Sequence, residues 1–229
     1  LSSSSAASDV YKRQAYLLFK TISNPFISNT LTAFIKVAMW LHLPISWAIK
    51  ATVYKHFCGG TTIENSQATI DKLWESHIGT ILDFSAEGKE NEEDFNLAMN
   101  ETIASIQKAK SESSIPFSVF KPTGLARFAL LEKISSKLKL TKEEEIEKNT
   151  FEGRIENICR IASENKVPLF IDAEESWIQN EIDDIAIAMM QKFNKNEAWI
   201  FNTLQLYRND RVDHLEMLLK LATEKKFFV

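Results

Sequence analysis

Four polar side chains follow four short apolar runs of the chain, and their types are suited to binding small charged substrates. The runs begin near residues 80, 116, 168 and 198, and they end at Asp83, Lys121, Asp172 and Gln205. A lysine ammonium can hold a substrate carboxylate, and an aspartate can orient an amine or hold the lysine. Because an unpaired buried charge is costly, we predict that these groups converge on one another or on a ligand. The alternative is that the strands simply reach the polar surface there.

The apolar runs alternate with segments of helical periodicity, and this alternation indicates βαβ units and a parallel sheet. In such a fold the carboxyl ends of the strands share one edge, where ligands bind. Two capping boxes are predicted, one at Thr61 and Glu64 and one at Thr141 and Glu144. The predicted helices span about 61–76, 94–110, 125–165, 177–193 and 212–224.

The sequence divides into three predicted parts. Residues 1–14 are rich in serine and alanine, and we predict a non-native or disordered tail. Residues 15–78 predict a helical N-terminal arm, and residues 79–229 contain the strand–helix units. The apolar residues from Phe227 onward predict the start of a fifth strand.

Composition and motif content argue against several classes of protein. The formal net charge of −4 gives no support for nucleic-acid binding. The uncharged runs are shorter than the ~20 residues of a membrane span, although peripheral membrane contact stays open. Glycine-rich phosphate loops and the GxSxG nucleophile elbow are absent, and the histidines lack metal-ligand spacing. The two cysteines, Cys58 and Cys159, are too sparse for a disulfide scaffold and favour a reducing compartment.

Five stretches of the sequence resemble the flavin-dependent proline dehydrogenases. The most specific are IDAEE, within residues 168–176, and FNTLQ, within residues 200–207. The resemblance implies a (β/α)8 TIM barrel with FAD across its C-terminal mouth. It also implies oxidation of L-proline to 1-pyrroline-5-carboxylate, with electrons passed to a membrane quinone. The five stretches are residues 57–63, 81–87, 117–128, 168–176 and 200–207.

The resemblance assigns roles to four residues of this chain. Lys121 matches the lysine that contacts the substrate carboxylate, and Asp172 matches the active-site aspartate. Ala173 matches a backbone contact to the flavin, and Gln205 matches the glutamine that hydrogen-bonds the isoalloxazine ring. No metal is implied. By the same resemblance, the protein is expected in the bacterial cytoplasm and at the inner-membrane face, or in mitochondria.

The length predicts a partial barrel of about four βα units. A complete barrel takes roughly 250 residues, whereas the first strand begins near residue 80 of 229. The family's KLVRGAY motif and its paired arginines are expected beyond Val229, so we expect the activity to be incomplete in this fragment. One alternative is an inactive half-barrel that needs a partner chain or its C-terminal half. Another is a lyase or aldolase that uses Lys121 as a Schiff-base nucleophile.

Overall fold

The structure is a computed structural model that describes residues 16, 19–20, 23–44, 58–84 and 88–229. The chain forms two compact units, Leu1–Cys58 and Gly59–Val229. The predicted tail and residues 45–57 of the predicted arm lie outside the described residues.

The first unit contains helix α1, Pro25–Trp40. The side chain of Asn24 accepts hydrogen bonds from two backbone N–H groups of the first turn, and a proline occupies the first helical position, where its missing N–H costs nothing. Ala38 is the buried residue of this helix, and large apolar side chains such as Phe26 and Trp40 are exposed. Among the described residues, no helix has both the length and the apolar character that a membrane crossing requires.

The second unit is built on a four-stranded parallel sheet in the order β1-β2-β3-β4. Strand neighbours in the sheet are also neighbours in sequence, as they are in the winding of a (β/α)8 barrel. This arrangement confirms the predicted α/β fold with a partial barrel of four units. The strands are β1 (Ile81–Leu82), β2 (Phe117–Phe120), β3 (Leu169–Ile171) and β4 (Ile200–Asn202).

Helices connect and cover the strands, and one predicted helical segment is divided in two. The segment predicted over 125–165 breaks because Lys137 adopts a left-handed conformation and Thr141 caps a new helix. The predicted capping box of Thr141 and Glu144 is confirmed, with both reciprocal hydrogen bonds present. The helices of this unit are α2 (Ile63–Trp74), α3 (Glu92–Ser111), α4 (Phe128–Ser135), α5 (Lys142–Asn165), α6 (Gln179–Phe193) and α7 (Arg211–Lys225).

The predicted capping box at Thr61 and Glu64 is wrong by one residue. Thr62 is the N-cap of α2, and its hydroxyl accepts a hydrogen bond from the backbone N–H of Asn65 at 3.1 Å. The hydroxyl of Thr61 instead accepts from the side-chain amide of Asn65 at 2.9 Å. Two adjacent threonines offer the same capping group, and Thr62 is the one with extended backbone directly before the first helical residue.

The core of the second unit lies between the sheet and its helices. Leu169 and Ile171 of β3 are fully buried, as are Ile155 and Ile158 of α5. Each such side chain contributes about 1.5–3 kcal/mol by its removal from water. Ile70 of α2 belongs to the same core. The compact unit therefore begins before the first strand. The boundary at residue 79, between the helical arm and the barrel portion, stays a prediction.

Phe227 does not begin a fifth strand among the described residues, since the sheet has four. α7 ends at Lys225, and the left-handed conformation of its C-cap residue, Lys226, redirects the chain. The Phe227 side chain is buried, and Phe228 exchanges hydrogen bonds with Asn194 at the end of α6. The Phe228 N–H donates to the Asn194 carbonyl at 2.9 Å, and the Asn194 Nδ2 donates to the Phe228 carbonyl at 3.0 Å.

The two faces of the sheet carry different side chains. On the helix-facing side, Ser118 contacts Ser105 of α3. On the opposite face, Phe117 and Phe170 stack with ring centroids 4.6 Å apart, and Phe201 meets both rings edge-on. Side chains alternate along a strand, so polar residues two or four positions after these phenylalanines in sequence lie on the same side of the sheet. The candidate site lies on that side, at the carboxyl ends of the strands.

Candidate active site

Lys121 lies directly after β2, at the carboxyl edge of the sheet. Its Nζ is 4.0 Å from Oδ2 of Asp83, which follows β1. The chain then turns through a short 3₁₀ helix, Pro122–Gly124, whose three residues are buried. This turn fixes the backbone after Lys121, and the Lys121 ammonium group lies near the Asp83 carboxylate.

Asp172 and Ala173 follow β3 and are held by Thr203, which follows β4. The Thr203 hydroxyl donates to Oδ1 of Asp172 at 2.9 Å and accepts from the backbone N–H of Ala173 at 2.7 Å. The Ala173 N–H also lies 3.1 Å from Oδ1 of Asp172. These contacts hold the Asp172 carboxylate in one orientation at the end of β3.

Gln205 reaches back from the β4 loop to the β3 loop. Its Nε2 donates to the Glu174 carbonyl at 3.0 Å and to the Ala173 carbonyl at 3.4 Å. These two contacts set the orientation of the Gln205 amide. An oriented amide fits a hydrogen bond to an isoalloxazine ring, which is the contact that the resemblance implies.

Glu174 joins the loops after β2 and β3. Its carboxylate accepts hydrogen bonds from the Thr123 backbone N–H at 2.9 Å and from the Thr123 hydroxyl. Burial raises the pKa of Glu174 from 4.5 to about 7, against the opposing effect of the two Thr123 hydrogen bonds. A carboxyl group of this kind changes its charge near neutral pH.

The structure brings all four residues of the sequence prediction to one edge of the sheet. Lys121, Asp172, Ala173 and Gln205 occupy the loops after three successive strands, as the strand-end pattern indicates. Thr203 is not among them, although it lies within the FNTLQ stretch. Its role depends on a strand pairing that no local pattern specifies.

The sequence patterns also predicted no role for Glu174 or Thr123. The only sequence signal for Glu174 was its position in the acidic IDAEE stretch. Among the described residues, no three His, Cys, Asp or Glu side chains are arranged to hold a metal ion.

Comparisons with known proteins identify the family of this chain. The proline dehydrogenase family model matches residues 66–229. A carbapenem antibiotics biosynthesis protein, CarD, from Pectobacterium carotovorum is 31% identical over 75% of this chain and 46% of its own length. The mitochondrial proline dehydrogenase 1 of Dictyostelium discoideum is 27% identical over 93% of this chain and 44% of its own length.

The fold has counterparts among solved structures. Proline utilization A from Bdellovibrio bacteriovorus, in a crystal structure of the protein inactivated by N-propargylglycine, superposes with a TM-score of 0.63 at 15% identity. The match covers 79% of this chain and 20% of that protein. The chain spans less than half the length of the curated relatives named above. With a family model that matches most of its residues, the chain belongs to the proline dehydrogenase family.

Proposed function

We propose that the protein oxidises L-proline to 1-pyrroline-5-carboxylate with FAD as the hydride acceptor. The observation that carries this proposal is the convergence of Lys121, Asp172 and Gln205 at one edge of the sheet in a chain of this family. Family membership supplies the reaction class, and the site supplies a cation, an oriented anion and an amide in neighbouring loops.

Each residue has a distinct task in the proposed reaction. The Lys121 ammonium binds the substrate carboxylate, and the Asp172 carboxylate accepts a hydrogen bond from the substrate amine. Thr203 keeps Asp172 oriented through the 2.9 Å hydrogen bond. Gln205 and the Ala173 backbone hold the cofactor ring. Bound FAD would supply the two-electron acceptor for the hydride from the carbon next to the ring nitrogen.

The positioning of these groups matters because hydride transfer needs the donor carbon close to the acceptor atom. Holding reactants in such an arrangement lowers the barrier by removing translational and rotational freedom beforehand. Lys121 and Asp172 bind the substrate at two points. Two points of contact define the orientation of a small ring. Fixed polar groups also stabilise charge that develops as the hydride leaves.

The electron acceptor and the site of action are further parts of the proposal. We propose that electrons pass to a membrane quinone and that the protein makes peripheral contact with the membrane. Helix α1 supports such contact, because Phe26 is 79% exposed and Trp40 is 77% exposed. The proposed location is the bacterial cytoplasm with its inner-membrane face, or the mitochondrion; several of the relatives carry mitochondrial names.

Two alternatives come from the sequence. The first is an inactive half-barrel that needs a partner chain or its C-terminal half. A Schiff-base mechanism at Lys121 is disfavoured by the proline dehydrogenase family match over residues 66–229. Because the Pectobacterium protein has a carbapenem-related name, substrates other than L-proline should also be tested.

The test is FAD binding and L-proline-dependent reduction of a dye by purified protein. The proposal expects bound flavin in the visible spectrum and turnover with L-proline. A colourless protein that gains flavin and activity only when joined to a C-terminal half would support the half-barrel alternative. Trapping of a carbonyl substrate on Lys121 by borohydride would support the Schiff-base alternative. A panel of ring-substituted proline analogues would define the substrate class.

A further inference from the structure

We infer that Asp183 of α6 is a positioning residue that sets the orientation of the loops carrying Ala173 and Gln205. This inference rests on the proposed function for the roles of those two residues. Asp183 is 4% exposed and lies on α6, the helix that packs against β4. A buried carboxylate is tolerated only with strong partners, and two of its partners, Gln179 and Asn202, lead to the loops of the site.

The Asp183 carboxylate accepts hydrogen bonds from three different elements. Oδ1 accepts from Nε2 of Gln179 at 2.9 Å and from Nδ2 of Asn202, the last residue of β4, at 2.9 Å. Oδ2 accepts from Nη1 of Arg211, at the start of α7, at 2.7 Å. His214 Nδ1 lies 3.6 Å from the same oxygen. One carboxylate therefore connects the ends of β4, α6 and α7.

Gln179 carries this connection into the site. Its Oε1 accepts the backbone N–H of Glu174 at 2.8 Å, and the Glu174 carbonyl in turn accepts Nε2 of Gln205 at 3.0 Å. A glutamine amide can rotate by half a turn and exchange its oxygen for its nitrogen. Because Asp183 accepts from Nε2, it keeps Oε1 of Gln179 toward the Glu174 N–H.

Asn202 carries a second connection. It immediately precedes Thr203, whose hydroxyl joins Asp172 to Ala173. The hydrogen bond from Asn202 to Asp183 anchors the end of β4 against α6. It thereby fixes the backbone position of the next residue, Thr203. Asp183 thereby acts on both loops that the proposed function assigns to the cofactor.

The first experiment measures the loops directly and needs no bound cofactor. Amide hydrogen exchange is followed in Asp183→Asn, with Asp184→Asn, an exposed neighbour on the same helix, as the matched control. We expect the Glu174 amide to exchange at least about tenfold faster in Asp183→Asn, relative to core amides of α5 in the same sample. Asp184→Asn should leave this ratio unchanged.

Gln179→Met provides a second variant in case Asp183→Asn fails to fold. It keeps the length of the side chain, removes the acceptor for Glu174 and leaves the bonds of Asp183 to Asn202 and Arg211 in place. It should accelerate exchange at Glu174 by a similar factor. Unchanged exchange at Glu174, relative to the α5 amides, in the folded variants would overturn the inference.

The second experiment uses the kinetics of flavin-loaded protein. We expect Asp183→Asn to lower kcat about tenfold, because the loops that carry Asp172, Ala173 and Gln205 shift. A loss of stability alone would lower the active fraction without altering the spectrum of the bound flavin, whereas a shifted loop alters it. An equal loss of kcat in Asp184→Asn would contradict the inference. Wild-type protein without flavin or turnover would overturn the proposed function, and the exchange experiment would still decide the role of Asp183.

Discussion

The carboxylate of Glu174 is bound by Thr123, a residue fifty-one positions earlier in the chain. The Thr123 backbone N–H and hydroxyl both donate to it, the first at 2.9 Å. The contact joins the loops that follow β2 and β3, which carry Lys121 and Asp172. The loops of the site are thus held to each other as well as to the strands.

Glu174→Gln should change the pH dependence of stability. Burial raises the pKa of Glu174 from 4.5 to about 7 in the folded protein, so the native state holds a proton that the unfolded chain releases. Stability from this group is full below pH ~4.5 and is lost as the pH rises through about 7. Relative to wild type, Glu174→Gln should therefore gain about 1–3 kcal/mol between pH 5 and pH 8.

Urea unfolding of both proteins at the two pH values measures this gain. Glu175→Gln is the matched control, since Glu175 is the exposed neighbour. The same difference between wild type and Glu174→Gln at both pH values would show that Glu174 has an ordinary pKa in the folded protein.

Asp172→Asn should lower kcat/KM for L-proline by about 10²–10³-fold, because the amide cannot supply the negative charge that orients the substrate amine. The Thr203 hydroxyl can still bond to the new side chain, so folding should be kept. Dye reduction by flavin-loaded protein measures the effect, with Glu175→Gln as the control. Full turnover in Asp172→Asn would exclude Asp172 from the site.

Lys121→Met should raise the KM for L-proline by about a hundredfold, since the substrate carboxylate loses a charge-assisted partner. Lys133→Met is the control, because Lys133 pairs with Glu144 in the α4–α5 region. Initial rates over a range of L-proline concentrations separate KM from kcat. If KM stays at the wild-type value, the substrate carboxylate is bound elsewhere.

Thr62→Ala should destabilise the protein by about 1 kcal/mol through loss of the α2 cap. Thr61→Ala should cost clearly less, because Thr61 bonds only to the exposed side chain of Asn65. Thermal or urea unfolding of the two variants compares adjacent threonines directly. A larger loss of stability for Thr61→Ala than for Thr62→Ala would support the capping box predicted from the sequence.

Local patterns were sufficient where the physical cause is local. The apolar runs near 116 and 168 predicted β2 and β3, because strands buried on both faces are continuously apolar. The Thr141–Glu144 pair predicted a helix start, because the cap involves residues three apart. The pattern failed at Thr61 and Thr62, where two identical capping groups stand side by side and the backbone conformation chooses between them.

The sequence by itself determined the order of strands and helices and the residues that end each strand, and its resemblance to the proline dehydrogenases determined the family. These follow from side-chain type and from spacing over a few residues. Only the tertiary structure decided that Thr203 binds Asp172, that Thr123 binds Glu174 and that Asp183 joins Gln179 to Asn202 and Arg211. Except for the single helical turn between Gln179 and Asp183, the partners lie 19 to 51 residues apart. They meet because strand register and helix packing bring their loops together, which no local pattern specifies.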